Sequence, residues 1–205
     1  MENSIHPEIA YLLGALRDAT ADIRKAKNYE IKISQKEMDW LVLLQKFFET
    51  HFGIRGNITK HVNGAVILRL NGKDVVNSVL EISEMKIPQE FWETPKIIKI
   101  QPLEIQISYL RGFFDAEGGL PKNPGNAEQL YLSFSQKNKE AVRFLRKLLI
   151  KKGYKPTNIT FCGKVWEFRL ARKKDMIFFC DKIGSWHKDK KRRLEMLRNR
   201  IVFPE

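Results

Sequence analysis

Apolar residues recur at helical spacing over residues 8 to 18, and the pattern then changes to a period of two, with Tyr29, Ile31 and Ile33 separated by Glu30 and Lys32. The first pattern predicts a helix with one buried face, the second a half-exposed strand. Ser34 follows as an expected N-cap, and Glu37 three residues on completes a capping box. The helix started there carries Trp40, Leu41, Leu44, Phe47 and Phe48 on one face and is expected to stop before Gly53. Strands are expected over 54 to 62 and 65 to 70, joined through Asn63-Gly64, a pair suited to the positive φ values of a two-residue hairpin. A helix over 73 to 85 closes the set.

The same order returns about 100 residues later, the signature of an internal repeat. Ile33-Ser34-Gln35-Lys36 corresponds to Phe134-Ser135-Gln136-Lys137, an offset of 101 between Gln35 and Gln136. Gly53-Ile54 corresponds to Gly153-Tyr154 and Arg69-Leu70 to Arg169-Leu170, both at 100, Lys73-Asp74 to Lys174-Asp175 at 101, and Gly14 to Gly112 at 98. In the second copy, strands over 159 to 162 and 165 to 170 flank Gly163, and a helix runs over 173 to 183. The expected fold class is α+β, with two tandem αββαββα halves in pseudo-twofold relation and antiparallel sheets. Residues 1 to 85 form the N-terminal half, 86 to 105 a linker, and 106 to 205 the C-terminal half. The linker contains Pro88, Pro95 and Pro102, yet its Phe91, Trp92, Ile97, Ile98 and Ile100 argue that it packs.

Composition adds a partner class. A chain of 205 residues with 43% hydrophobic content can bury a core, and 37 Lys and Arg against 24 Asp and Glu give +13, with a pI near 9.7. That balance favours nucleic acid or an anionic membrane surface. No apolar run reaches the roughly 20 residues of a membrane span, and residues 1 to 7 lack the form of a signal peptide, so a soluble cytoplasmic protein is expected. A final helix is expected over 185 to 200; it holds seven Lys and Arg against two acids, a surplus of five. Cys162 and Cys180 lack a metal-ligand neighbourhood and read as buried free thiols.

The candidate chemistry lies in Tyr109-Leu110-Arg111-Gly112-Phe113-Phe114-Asp115-Ala116-Glu117-Gly118, where a helical turn built around glycine runs into acids, and in its first copy Tyr11-Leu12-Leu13-Gly14-Ala15-Leu16-Arg17-Asp18-Ala19. Two helices can cross with their backbones close only if small residues meet, which suits Gly14, Ala15 and Gly112. If both helices end at one point, their terminal acids repel unless a divalent cation lies between them. With these two copies and the Ser-Gln-Lys that follows a strand in each half, nearly the whole chain resembles the LAGLIDADG family of homing endonucleases in its single-chain, two-motif form, of archaeal type. The resemblance implies a monomer whose two motif helices pack together and whose sheets form a saddle in the major groove of double-stranded DNA. It also implies hydrolysis of phosphodiester bonds with Mg²⁺ or Mn²⁺, as in intron-encoded nucleases.

The family's metal-binding acid precedes the final motif glycine, which selects Glu117. In the first copy, counting five from the helix glycine reaches Ala19, which cannot bind a metal, whereas anchoring on an acid before a small residue selects Asp18. The second alignment leaves one residue fewer in the helix, about 100° of rotation. If the carboxylate is instead lost, the chain becomes a nickase, a DNA-binding regulator or a maturase for intron RNA. Gln35 and Gln136 match the family's water-ordering position. Asp115 is expected to support the fold. Phosphate contacts are assigned to Lys36, Lys122, Lys137 and the tail residues Lys188, Lys190, Lys191, Arg192 and Arg193. Strand alternation offers Lys32, Asn57, Thr59, His61, Arg69, Tyr131, Ser133, Asn158, Thr160 and Arg169 for reading bases.

Overall fold

A computed structural model describes residues 4 to 23, 29 to 62, 64 to 85 and 92 to 203. Lys25, a basic residue near the first motif, lies outside them, as do Asn63 of the expected hairpin and Pro88 and Phe91 of the linker. The first half runs α1 (Pro7–Ala15), a 3-10 turn (Leu16–Asp18), β1 (Ala19–Ile23), β2 (Tyr29–Gln35), α2 (Met38–Phe52), β3 (Asn57–Lys60), β4 (Val66–Asn71) and α3 (Lys73–Ser83). After the short α4 (Lys96–Lys99) the second half runs α5 (Leu103–Glu117), β5 (Leu132–Gln136), α6 (Lys139–Lys151), β6 (Thr160–Cys162), β7 (Val165–Leu170), α7 (Lys173–Lys182) and α8 (Lys188–Val202). Both sheets are antiparallel, ordered β1-β2-β4-β3 and β5-β7-β6.

Strand alternation divides each sheet as the sequence pattern requires. Ile31, Ile33, Leu68 and Leu70 are buried against the helices, while Glu30, Lys32 and Arg69 occupy the opposite face in paired register. In the second sheet Leu132, Phe134, Phe168 and Leu170 fill the core side, with the Phe134 and Phe168 rings stacked 5.0 Å apart. Gly53 ends α2 with φ +66 and Gly163 makes the β6–β7 turn with φ +64, two positions where a side chain would be strained.

The two halves are joined where α1 crosses α5. A methyl group placed on Gly14 would run into the carbonyl oxygen of Tyr109, and one on Gly112 into the carbonyl oxygen of Tyr11. The helices therefore meet backbone to backbone, and the surrounding Leu12, Leu13, Leu110 and Phe113 are wholly buried.

Four sequence expectations need correction. Ser34 is not an N-cap: β2 continues through Gln35, Ser34 pairs with Ile67, and Glu37 stands at the start of α2 without a side-chain cap bond. Cross-strand pairing with β4 outcompetes the local capping bond. The second motif helix begins at Leu103, so it takes in the end of the expected linker, whose Trp92 and Ile98 are buried. Among the described residues the second half has no counterpart of β1, only an isolated Gly119–Ser133 bridge. Pro121 and Pro124 interrupt that segment, and proline has no N–H to offer a ladder. Finally, Cys162 is exposed, because β6 is an uncovered edge strand; Cys180 is half-buried, donates to the Leu194 carbonyl at 3.6 Å, and has its pKa pushed by burial to about 12.

Candidate active site

The one-residue difference between the motif copies is absorbed by a change of helix type. α5 stays α-helical to Glu117, whereas α1 tightens after Ala15 into the 3-10 turn that ends at Asp18. From Gly14 to Asp18, one α step of about 1.5 Å and three 3-10 steps of about 2.0 Å advance about 7.5 Å, the same as five α steps from Gly112 to Glu117. Because each 3-10 step turns about 120°, the angular mismatch falls from about 100° to about 40°. Ala19 then opens β1 with its side chain buried, opposite Ile33.

Asp18 and Glu117 stand at the ends of the two crossed segments, both half-buried and near enough for their charges to interact. Burial raises the Glu117 pKa above its ordinary value and the Asp18 charge raises it further, while Lys190 and Arg17 oppose the shift. Burial also raises the Asp18 pKa, against a hydrogen bond donated by Gln35 Nε2 and the charge of Lys190. Two oxygen donors held together at this electrostatic cost fit a hard divalent cation. Gln136 behaves differently: its Oε1 accepts from the Lys137 backbone N–H at 2.7 Å.

Lys190, placed among the phosphate-contacting residues by its position in the basic tail, is instead buried beneath this centre. Its Nζ donates to the carbonyls of Phe114 at 2.7 Å, Gly118 at 2.8 Å and Ala116 at 3.5 Å. An ammonium at the carbonyl end of a helix is favoured by both the free acceptors and the helix dipole. Burial lowers its pKa to about 8, with Asp115, Glu117 and Asp18 pulling the other way.

A second pair of contacts, missed from the sequence, ties the halves together. Tyr11 lies three residues before Gly14 and Tyr109 three before Gly112, with Arg17 and Asp115 three residues after each glycine. Tyr11 Oη donates to Asp115 Oδ2 at 2.5 Å, and Arg17 Nη2 donates to Tyr109 Oη at 3.0 Å. One position in the repeat thus holds opposite charges in its two copies, each bound to the other helix's tyrosine. The common Tyr-x-x-Gly spacing was the available signal. Asp115 also accepts from Ser185 Oγ and from the backbone N–H groups of Trp186 at 2.8 Å and His187 at 3.2 Å, which fixes the entry to α8. Trp40 Nε1 donates to Tyr11 Oη at 2.7 Å and extends this network into α2.

Of the expected base-reading residues, Lys32, Asn57, Thr59 and Arg69 share the outer face of the first sheet, and His61 is exposed just beyond β3. On the second sheet Tyr131, Thr160 and Arg169 are outward, with the Arg169 guanidinium 4.8 Å over the Tyr131 ring. Arg69 pairs with Glu30 at 3.2 Å and Arg169 with Glu167 at 2.6 Å, so a guanidinium is held in place on each sheet. Asn158 is exposed at the edge, where Arg146 Nη2 donates to it at 3.4 Å. Ser133 is not on the surface: Gly119 covers it, with N–H···O bonds in both directions, and 6% of it is exposed.

Lys36, Lys122 and Lys137 are exposed, as are Lys191 and Arg192 on α8. Lys188 pairs with Asp39 at 2.9 Å and Arg192 with Asp189 at 2.9 Å. Arg193 turns inward like Lys190 and donates to the carbonyls of Leu120 at 3.3 Å and Pro121 at 3.4 Å. These are carbonyls that the missing strand leaves without a ladder partner, and buried backbone acceptors are rarely left unmet.

Comparison with known proteins agrees with this fold. Residues 104–184 match the LAGLIDADG-like domain family. The chain is 32% identical over 202 residues to homing endonuclease I-ApeI of Aeropyrum pernix, covering 93% of this chain and 86% of that protein. The chain belongs to the LAGLIDADG homing endonuclease family. In this LAGLIDADG protein the fold also superposes on the crystal structure of I-DmoI in complex with DNA and Mn, with TM-score 0.64 at 20% identity over 86% of this chain and 96% of that one. It is further 25% identical to a glutamine–fructose-6-phosphate aminotransferase of Methanocaldococcus jannaschii, covering 95% of this chain but 18% of that protein. Among the described residues no helix is long and apolar enough to cross a membrane.

Proposed function

We propose that this homing endonuclease acts as a monomer that cuts both strands of double-stranded DNA, with Asp18 and Glu117 as the residues that would jointly hold divalent ions, Mg²⁺ or Mn²⁺. The observation that carries the proposal is the mutual placement of the two carboxyls, buried enough that the Asp18 charge raises the Glu117 pKa. Each half supplies one of them, so one chain suffices.

When bound, the cations activate water and stabilise the leaving oxygen. The chain's own residues prepare the centre. Gln35 orients the Asp18 carboxylate. Lys190 braces the last turn of α5, which sets the direction of Glu117, and its positive charge offsets part of the acid–acid repulsion. Lys32, Asn57, Thr59 and Arg69 on one sheet, with Tyr131, Thr160 and Arg169 on the other, offer hydrogen-bonding groups toward base edges in the major groove. Lys36, Lys122, Lys137, Lys191 and Arg192 supply the salt-dependent phosphate contacts.

The test is selection of a cleaved site from a randomised duplex library with Mg²⁺, followed by gel separation of nicked and linear products. Linear product from the wild-type chain, and its loss with binding retained in Glu117→Gln, are the expected results. Tight specific binding without any strand scission would reject the catalytic reading in favour of a binding protein. Both acids must ionise to hold a cation, and both pKa values are raised in the ion-free centre, so cation affinity, and with it cutting at limiting Mg²⁺, should fall as pH drops.

A further inference from the structure

The opposite end of α1 carries a separate group of donors. We propose that His6, Glu8 and His51 form a second metal site, for a first-row transition ion of the zinc class. Their donor atoms all lie within 4.8 Å of one another, and among the described residues this is the only such group of three His, Cys, Asp or Glu side chains. Along α1 and its 3-10 extension, Glu8 stands about 16 Å from Asp18. The cluster is therefore distinct from the carboxylate pair.

The spacing is close to what a tetrahedral ion needs. His51 Nε2 is 2.6 Å and His6 Nδ1 3.7 Å from Glu8 Oε2, and the two imidazole rings lie 4.6 Å apart at 35°. Ligands at about 2.0–2.1 Å in a tetrahedron are about 3.3–3.4 Å from one another. One contact must open by about 0.7 Å and the other close by about 0.4 Å, shifts that side-chain rotation supplies. The bond that opens is the Glu8–His51 hydrogen bond. Ligation through His6 Nδ1 also displaces the Glu8 backbone N–H, which reaches that nitrogen at 3.3 Å.

The donor set selects the ion. Two imidazoles and a carboxylate suit zinc, cobalt or nickel, whereas magnesium prefers oxygen ligands. The His6 side chain is 56% exposed, which leaves a fourth position open to water. His6 caps α1 and His51 lies in the last turn of α2, so an ion here would clasp the start of the motif helix to its neighbour. Its effect is on stability and on the seating of α1.

The experiment titrates the full chain, free of DNA, with Co²⁺ and Zn²⁺. The expected results are one equivalent bound, a visible ligand-field band of four-coordinate Co²⁺, and a Tm rise of about 5–10 °C at a hundredfold excess of Zn²⁺ over Kd. The band should persist in Glu117→Gln, which separates this site from the nuclease centre. It should vanish in His51→Ala and in His6→Asn; the latter keeps a good N-cap and guards against a folding defect. Absence of binding, or a band lost in Glu117→Gln and kept in His6→Asn, would overturn the proposal. Loss of endonuclease activity with this site intact would reject the functional reading alone.

Discussion

The two halves solve one problem by different means. In the first, β1 follows the motif acid and pairs along β2 from Ala19–Ile33 to Ile23–Tyr29. In the second, the equivalent segment passes through Pro121 and Pro124, keeps a single bridge at Gly119, and lies against α8. Arg193 takes the Leu120 and Pro121 carbonyls, and Arg200 donates to Pro124 at 2.7 Å and Ala127 at 2.6 Å. Guanidinium groups of one helix replace the N–H groups of a strand. Part of the basic tail is thus spent on the protein's own backbone rather than on DNA, and a surplus of positive charge cannot be equated with a binding surface.

The largest effect should come where the halves are still alike. Gly112→Val and Gly14→Val each push a side chain into the facing helix backbone and should cost several kcal/mol, more than the roughly 1–3 kcal/mol of ordinary overpacking. Thermal melting would show it; a shift under about 3 °C in either variant would mean the crossing is looser than described. Lys190→Met comes next, at about 2–4 kcal/mol, because it leaves buried carbonyls short of a donor. Removing that cation should also move the acid limb of cutting to higher pH, since Lys190 lowers the Asp18 and Glu117 pKa values. A merely structural lysine would leave the pH profile where it was.

Asymmetry between the glutamines gives a third comparison. Gln35→Ala should slow cutting by about 10–100-fold, the usual effect of releasing a residue that orients a metal ligand, and Gln136→Ala by clearly less. Equal losses would show that DNA reorders Gln136. His187, buried at the start of α8, has its pKa lowered by burial to about 4. A lowered folded pKa gives stability that is full above the unfolded value of 6.5 and is lost as pH falls from there toward 4. With partial screening by solvent the loss is at most about 2 kcal/mol. His187→Asn keeps a cap and should flatten that part of the stability curve; an unchanged slope would assign it to other groups. The smallest effect, about 1–2 kcal/mol, is expected for Arg200→Ala, read as faster hydrogen exchange over residues 119 to 127.

Much of this was legible in the chain. Strand alternation placed Lys32, Asn57, Thr59 and Arg69 on one outer face, and the two motif glycines marked the helix crossing. Ser133 was misplaced because periodicity says which face a residue occupies but not what covers that face, and Lys190 and Arg193 because a run of charge does not say which of its side chains turn inward. The loop over Ser133 and the end of α5 over Lys190 are tertiary contacts between segments distant in sequence. The one-residue gap before Asp18 was visible, but the 3-10 turn that absorbs it depends on packing at the helix end. Arg17 and Asp115 occupy the same repeat position with opposite charges, and their common role shows only when each is seen on the opposite tyrosine.

In the function proposed above, Asp18, shifted by one residue from its repeat position, serves the first half as Glu117 serves the second. Single-turnover cleavage of the selected DNA site by Asp18→Asn tests it most directly. Wild-type DNA binding is expected, with linear product slowed by at least about 10³-fold, the worth of several kcal/mol of lost metal catalysis. Linear product formed at the wild-type rate would contradict it.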